Sequence, residues 1–255
     1  MSGKVYLVGA GPGAPDLLTL RAAWLLGEAD VVLHDALVHP QTLALAARAE
    51  KVAVGKRCGR QSSAQRFINK RLVDAARRHR VVVRLKGGDP MLFGRAQEEI
   101  AALEKAGIEY EVVPGVTAAS AAAADLGISL TRRGAARSVA FVTPRVGDGE
   151  APSGWARAVA AADTAVLYMA AGDAARVRDA LIEAGVARDM PVALVESASL
   201  GDSRTVTGIL AHLEALCATR GAGPALILVG RVLDAAVLAE PDVAKLVRAV
   251  AAVNR

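Results

Sequence analysis

The residues best suited to chemistry in this 255-residue chain sit in two short glycine-rich turns, GAGPGAP at 9–15 and KGGDP at 86–90. Glycine lets a backbone approach a ligand closely, an aspartate beside it accepts hydrogen bonds, and proline stiffens the turn while removing a donor. Gly9, Gly11 and Ala14 fit the G-x-G-x-x-G/A dinucleotide fingerprint, with Asp30 or Asp35 near the place of a ribose-binding acid. Pro12 and Pro15 crowd that turn and remove amide donors that a pyrophosphate needs, so the next helix is expected to begin near Asp16 or Leu17. Three readings stand for this loop: a nucleotide-phosphate cradle, a structural turn, and a tight wall for another ligand, the last being preferred. The second turn is more informative, because Gly87, Gly88, Asp89 and Pro90 follow directly on the apolar strand Val81 to Leu85. Its plainer alternative is a rigid strand-to-helix turn in which Asp89 caps the helix that follows.

Other chemistries find little support. The histidines, His34, His39, His79 and His212, show no HxH or HExxH spacing, and the two cysteines, Cys58 and Cys217, form no CxxC pair. Cys58 has no His, Asn or Asp context for a nucleophile and reads as a small buried filler. There is no GxSxG elbow and no Walker loop. A net charge of +5 favours an anionic partner, but with only 3% aromatic residues and no basic tail a polyanionic small molecule fits better than nucleic acid. The uncharged run from Val112 to Ala124 contains Pro114 and Gly115 and is too short to span a membrane. The chain enters the strand KVYLVG without a secretory pattern, so the cytoplasm is the expected location.

Positioning these turns requires an alternating α/β framework. Val5 to Val8, Val31 to Leu33, Val52 to Val54, Val81 to Leu85 and Tyr110 to Val113 read as five strands separated by helix-period segments, with chemistry gathered at their carboxyl ends. After PGVTAAS the pattern changes. SVAFVT at 138–143 starts a second region with strands at Ala165 to Met169, Val192 to Glu196, Arg204 to Gly208 and Leu226 to Val229. The short gap between the middle two predicts an antiparallel pair. The boundary is placed near Pro114, giving domains 1–114 and 115–255, and AASAAAAD is read as a tightly packed helix.

The chain resembles the tetrapyrrole methylase family. The likeness is carried in order by VYLVGAGPGAPDLLTLRA, ADVVLHDALV, VGKRCG with SSAQRFIN, RLKGGDPMLFGRAQEE, VVPGVTAASAAAADLGISLT, LYMA and MPVALVES. It implies two α/β domains, an N-terminal mostly parallel five-stranded sheet and a C-terminal mixed sheet, with S-adenosyl-L-methionine bound in a cleft between them and S-adenosyl-L-homocysteine released. It also implies a homodimer.

By this resemblance the cofactor residues are Pro12, Gly87, Gly88, Asp89, Leu92, Thr117, Ala118, Met169, Ala198 and Ala225. Met169 rests mainly on the resemblance, since a methionine at a strand end is more often core. The implied reaction is C-methylation of a tetrapyrrole, with uroporphyrinogen III methylated at C2 and C7 to precorrin-2 as the expected case. Alternatives are another precorrin C-methyltransferase or a non-catalytic tetrapyrrole-binding paralogue. Asp35 matches the family's proton acceptor and Lys56 its donor, while Arg57, Arg60, Arg132, Arg133 and Arg137 are the candidates for holding substrate carboxylates. The chain departs from the family pattern at Ala14, Gln61 and Ala198, and most over Thr131 to Ser138, a segment expected to face substrate.

Overall fold

The computed structural model describes residues 3–55, 61–147, 149, 151 and 153–234. The chain divides into two compact units, Met1–Ala118 and Ala119–Arg255, within the PGVTAAS segment that begins at Pro114.

In the first unit five strands, β1 (Lys4–Gly9), β2 (Val31–His34), β3 (Glu50–Ala53), β4 (Val81–Lys86) and β5 (Tyr110–Val113), form one sheet in the order β3-β2-β4-β1-β5. Every pairing is parallel. The apolar runs are continuous because both faces are covered. Val5, Leu7, Val31, Leu33 and Val82 face one cluster with Ile68 and Leu72 of α3 (Gln61–Ala76) and Ile100 and Leu103 of α4 (Ala96–Lys105). Val8, Val32, Val83 and Leu85 face another with Ala22, Leu25 and Leu26 of α1 (Leu20–Glu28), which precedes α2 (Pro40–Ala44).

Two expectations shift. The third strand covers Glu50–Ala53 instead of 52–54: it is an edge strand paired with β2 alone, so it carries exposed charges that a search for apolar runs passes over. After the first glycine turn a 3-10 turn, Pro15–Leu17, comes first, and α1 starts only at Leu20, where Thr19 caps it by accepting the Ala22 N–H at 3.1 Å.

The second unit contains all but the first residue of α5 (Ala118–Asp125), then β6 (Val139–Val142), α6 (Trp155–Ala161), β7 (Thr164–Tyr168), α7 (Ala174–Glu183), β8 (Pro191–Glu196), β9 (Arg204–Ile209), α8 (Leu213–Ala218) and β10 (Ala225–Gly230). The sheet order is β6-β7-β10-β8-β9, with β6 and β7 parallel and the other pairs antiparallel, including the expected β8–β9 hairpin. Val177 and Leu181 of α7 and Leu213 and Leu216 of α8 pack on Leu167, Leu194 and Ile227. The alanine-rich α5 buries Ala119, Ala121, Ala122 and Ala123, as a small-residue helix pressed closely on its neighbours does. No helix among the described residues is long and apolar enough to cross a membrane.

Candidate active site

Because all five strands of the first unit run the same way, the loops after them open at one edge of the sheet. Three of these loops are locked together through backbone. Gly11 and Gly88 form an antiparallel bridge, with Gly88 N–H donating to Gly11 O at 2.7 Å and Gly11 N–H to Gly88 O at 3.2 Å. A β-carbon on Gly115 would lie 2.4 Å from Gly88 O and 2.8 Å from Gly9 Cα, so only glycine permits this approach. Gly88 itself has φ +66°, in the left-handed region. Gly87 is exposed at the turn, while Pro12, Leu92, Thr117 and Ala118 are half-buried.

Asp89 ties the assembly. Its Oδ1 accepts the Met91 N–H at 2.8 Å and its Oδ2 accepts the Gly115 N–H at 2.9 Å. It does not cap the following helix, since α4 begins only at Ala96 and its N-cap position is Arg95. The carboxylate is spent first on shaping the turn and joining it to PGVTA. Between Asp89 and α4, Phe93 (φ 53°) and Arg95 (φ 55°) adopt left-handed backbone, the kind of strain that persists where surrounding structure over-determines it and that clusters at functional sites.

Asp35, just past β2, has a half-exposed side chain with 30% of its surface accessible. Its Oδ1 accepts from Nη2 of Arg84 at 2.5 Å. Arg84 is buried in β4, where its Nε donates to Oε1 of the fully buried Glu99 at 3.0 Å. Glu99 also takes both bonds from Nζ of Lys86, at 3.0 and 3.1 Å, and one from Nε2 of Gln65 at 3.4 Å. Two cations and two carboxylates therefore balance behind the site. Burial works against the Arg84 cation, but the charges of Asp35 and Glu99 outweigh it and raise its pKa. Burial, helped by the like charge of Arg84, lowers the pKa of Lys86 against the opposing pull of Glu99 and Asp35.

In the second unit, Met169, Ala198 and Ala225 come to one edge of the mixed sheet. Met169 follows β7, Ala198 follows β8, and Ala225 opens β10, which runs antiparallel between those two strands. Met169 is 49% exposed with φ 57°, so it is neither core nor relaxed backbone. Ser197 and Ser199 beside Ala198 are also left-handed, at φ 53° and 72°. Ala198 is buried, and Glu196 before it accepts the N–H groups of Gly221 and Gly223, both at 2.8 Å, which shapes the turn into β10. Arg132, Arg133 and Arg137 lie on an exposed turn closed by an Arg132–Ala136 bridge. Lys56, Arg57, Cys58 and Arg60 lie outside the described residues.

With the site in view, the model of the tetrapyrrole (corrin/porphyrin) methylases matches residues 4–214. The chain belongs to the tetrapyrrole methylase family. Among its relatives is a siroheme synthase from Chromobacterium violaceum, 51% identical over 237 residues that make up 92% of this chain and 50% of the relative. The chain thus spans about half the length of the curated relatives it matches. Among solved structures, a uroporphyrin-III C-methyl transferase from Thermus thermophilus complexed with S-adenyl homocysteine is 42% identical, with TM-score 0.78, covering 91% of this chain and all (100%) of that one. A cobalt precorrin-4 methyltransferase of cobalamin biosynthesis is 31% identical with TM-score 0.77, covering 91% and 96%.

Within this tetrapyrrole methylase, residues that reading the sequence passed over include Arg84, Lys86, Glu99 and Gln65. A signal was present: Arg84 and Lys86, two positions apart, interrupt the otherwise apolar strand VVVRLK, which places both charges on one face of a sheet whose faces are covered. Their shared partner Glu99, 13 or more positions away in α4, and Gln65 of α3, which donates to Glu99, carry no local mark.

Proposed function

We propose that this chain methylates uroporphyrinogen III at C2 and C7 with S-adenosyl-L-methionine, giving precorrin-2 and S-adenosyl-L-homocysteine. The observation that carries the reading is the backbone-locked trio of glycine turns beside Asp35, in a chain similar over its length to a methyltransferase that holds S-adenosyl homocysteine. Within the first unit the residues suit such a ligand, since Gly87 and Gly88 leave the turn without β-carbons and Leu92 and Pro12 offer partly buried apolar surface; within the second unit, taken by itself, Met169 is exposed and held off the core. Thr117 and Ala118 continue the turn that Gly115 brings against Gly88. Ala198 and Ala225 keep the edge of the second sheet free of bulk.

The cosubstrate supplies an electrophilic sulfonium methyl; an electron-rich pyrrole carbon attacks it, so a carbon–carbon bond forms as the sulfur–carbon bond breaks. Orientation provides most of the rate in such a displacement. The proton lost from the macrocycle goes to the Asp35 carboxylate, whose orientation Arg84 holds, and Lys56 returns a proton during rearrangement. Arg57, Arg60, Arg132, Arg133 and Arg137 attract and orient the carboxylates around the macrocycle. The enzyme works as a cytoplasmic homodimer, in line with the family resemblance.

Anaerobic incubation with uroporphyrinogen III and S-adenosylmethionine, followed by mass spectrometry of the macrocycle, tests the reading. Two added methyl groups are expected, and no methylation despite binding of S-adenosylhomocysteine refutes it in favour of a different precorrin substrate or a non-catalytic role.

A further inference from the structure

The acid that faces outward at the end of β2 is held from behind by a cation that solvent does not reach. Asp35 keeps 30% of its side-chain surface accessible, whereas Arg84 keeps 2%, Lys86 4% and Glu99 none (0%). Neutralising an acid at a strand end needs only a flexible lysine on the surface. A buried guanidinium with every nitrogen committed is a far more expensive solution, and an aliphatic residue fills a sheet interior at lower cost.

The geometry shows what the arrangement achieves. Arg84 Nη1 donates to the carbonyls of Leu33 at 3.4 Å and Leu85 at 3.1 Å, on both strands flanking the site. The Leu85 carbonyl also accepts the backbone N–H of Asp35 at 3.2 Å. The backbone and the carboxylate of Asp35 are therefore fastened to one anchor. Glu99 pins the other end of the same guanidinium through Nε, and Lys86 balances the second carboxylate oxygen of Glu99. Gly55 lets the chain after β3 pass close to this acid, since a β-carbon there would lie 2.6 Å from Ala36 N and 3.0 Å from Asp35 Cα. Among the described residues the Asp35 carboxylate makes no other hydrogen bond, so Oδ2 keeps its accepting capacity.

We propose that Arg84 is a positioning residue for methyl transfer: backed by Glu99 and Lys86, it fixes the Asp35 carboxylate with one oxygen turned to the substrate side. The inference rests on the proposed role of Asp35 as proton acceptor. Arg84 touches no substrate and acts only through Asp35. A lysine at position 84 keeps the charge but cannot bridge Glu99, two carbonyls and Asp35 with one planar fork.

A double-mutant cycle tests this with the full chain, using Asp35→Asn, Arg84→Lys and the pair together, each assayed with uroporphyrinogen III and S-adenosylmethionine. Arg84→Lys is expected to lower kcat by about tenfold or more, below the loss of about a hundredfold expected for Asp35→Asn, with KM for both substrates changed by less than about twofold. The double variant is expected to be no slower than Asp35→Asn alone, because Arg84 has nothing left to position.

If the two losses multiply, or if Arg84→Lys keeps full kcat, the positioning role is overturned while Asp35 stands. If Asp35→Asn keeps full kcat, the acceptor role itself falls, and the inference with it. Should Arg84→Lys fail to bind S-adenosylhomocysteine in calorimetry, Glu99→Asp serves instead. Shortening that carboxylate by one methylene withdraws the Nε acceptor and is expected to lower kcat selectively and non-additively with Asp35→Asn; multiplication of its loss overturns the proposal.

Discussion

Replacing Glu99 by glutamine removes the pivot of the buried charge cluster and leaves Arg84 and Lys86 as neighbouring cations with one carboxylate, Asp35, between them. The Glu99 side chain is 0% exposed and its partners Arg84 and Lys86 are 2% and 4% exposed, so water cannot compensate the loss. Breaking a buried ion pair on one side typically costs about 3–5 kcal/mol. In a chain of this size that lowers the melting midpoint of the first unit by roughly 6–20 °C, readable by circular dichroism or calorimetry.

The pH dependence gives a second check. Lys86 already sits below its ordinary value of 10.5, chiefly through burial, and losing Glu99 lowers it further. A base whose folded pKa is depressed penalises the folded state at low pH, and the penalty disappears as pH rises through the folded value toward the unfolded one. The stability gap between the parent and Glu99→Gln should therefore narrow on going from pH 7 toward pH 10. A gap under about 1 kcal/mol at pH 7, the size of an exposed ion pair, or one that widens with pH, would refute the account of a sealed cluster.

Gly115→Ala places a β-carbon 2.4 Å from Gly88 O, so the three glycine turns must separate; a stability loss of about 1–3 kcal/mol together with loss of S-adenosylhomocysteine binding in calorimetry is expected, and unchanged binding argues against the locked arrangement. Burial, opposed weakly by Arg220, pushes the Cys217 thiol from its ordinary 9.0 up to about 11. The stability this contributes is fully present below pH 9 and is lost as pH rises through about 11, on the order of 2–3 kcal/mol. Urea melts from pH 8 to 11 should show that decline flattened in Cys217→Ala, and mass-resolved alkylation at pH 8 should leave Cys217 unmodified in the native protein.

Much of the framework is legible in the sequence because its causes are local. Apolar runs such as VVVRL mark strands whether or not their neighbours are known, glycine and proline punctuate the turns, and the short step from Val192–Glu196 to Arg204–Gly208 points to the antiparallel pair that β8 and β9 form. Even so, periodicity misplaced β3, since an edge strand does not need apolar residues on both faces, and Thr19 rather than the prolines decided where α1 begins.

What tertiary structure alone decided concerns side chains whose partners are remote. Asp89, expected at the ligand with a helix cap as the plainer alternative, clamps Gly115, 26 positions on, because the parallel sheet delivers both loops to one edge. Met169, a cofactor residue by resemblance alone, is held outward by left-handed backbone and is 49% exposed, where a strand-end methionine is more often core. Arg84, read in a strand, was one charge among many; only packing of α4 over β4 brings Glu99 to its Nε and leaves Asp35 to its Nη2. Local propensity determines which elements form, but a charge acquires a function only from what the folded chain places within hydrogen-bonding reach of it.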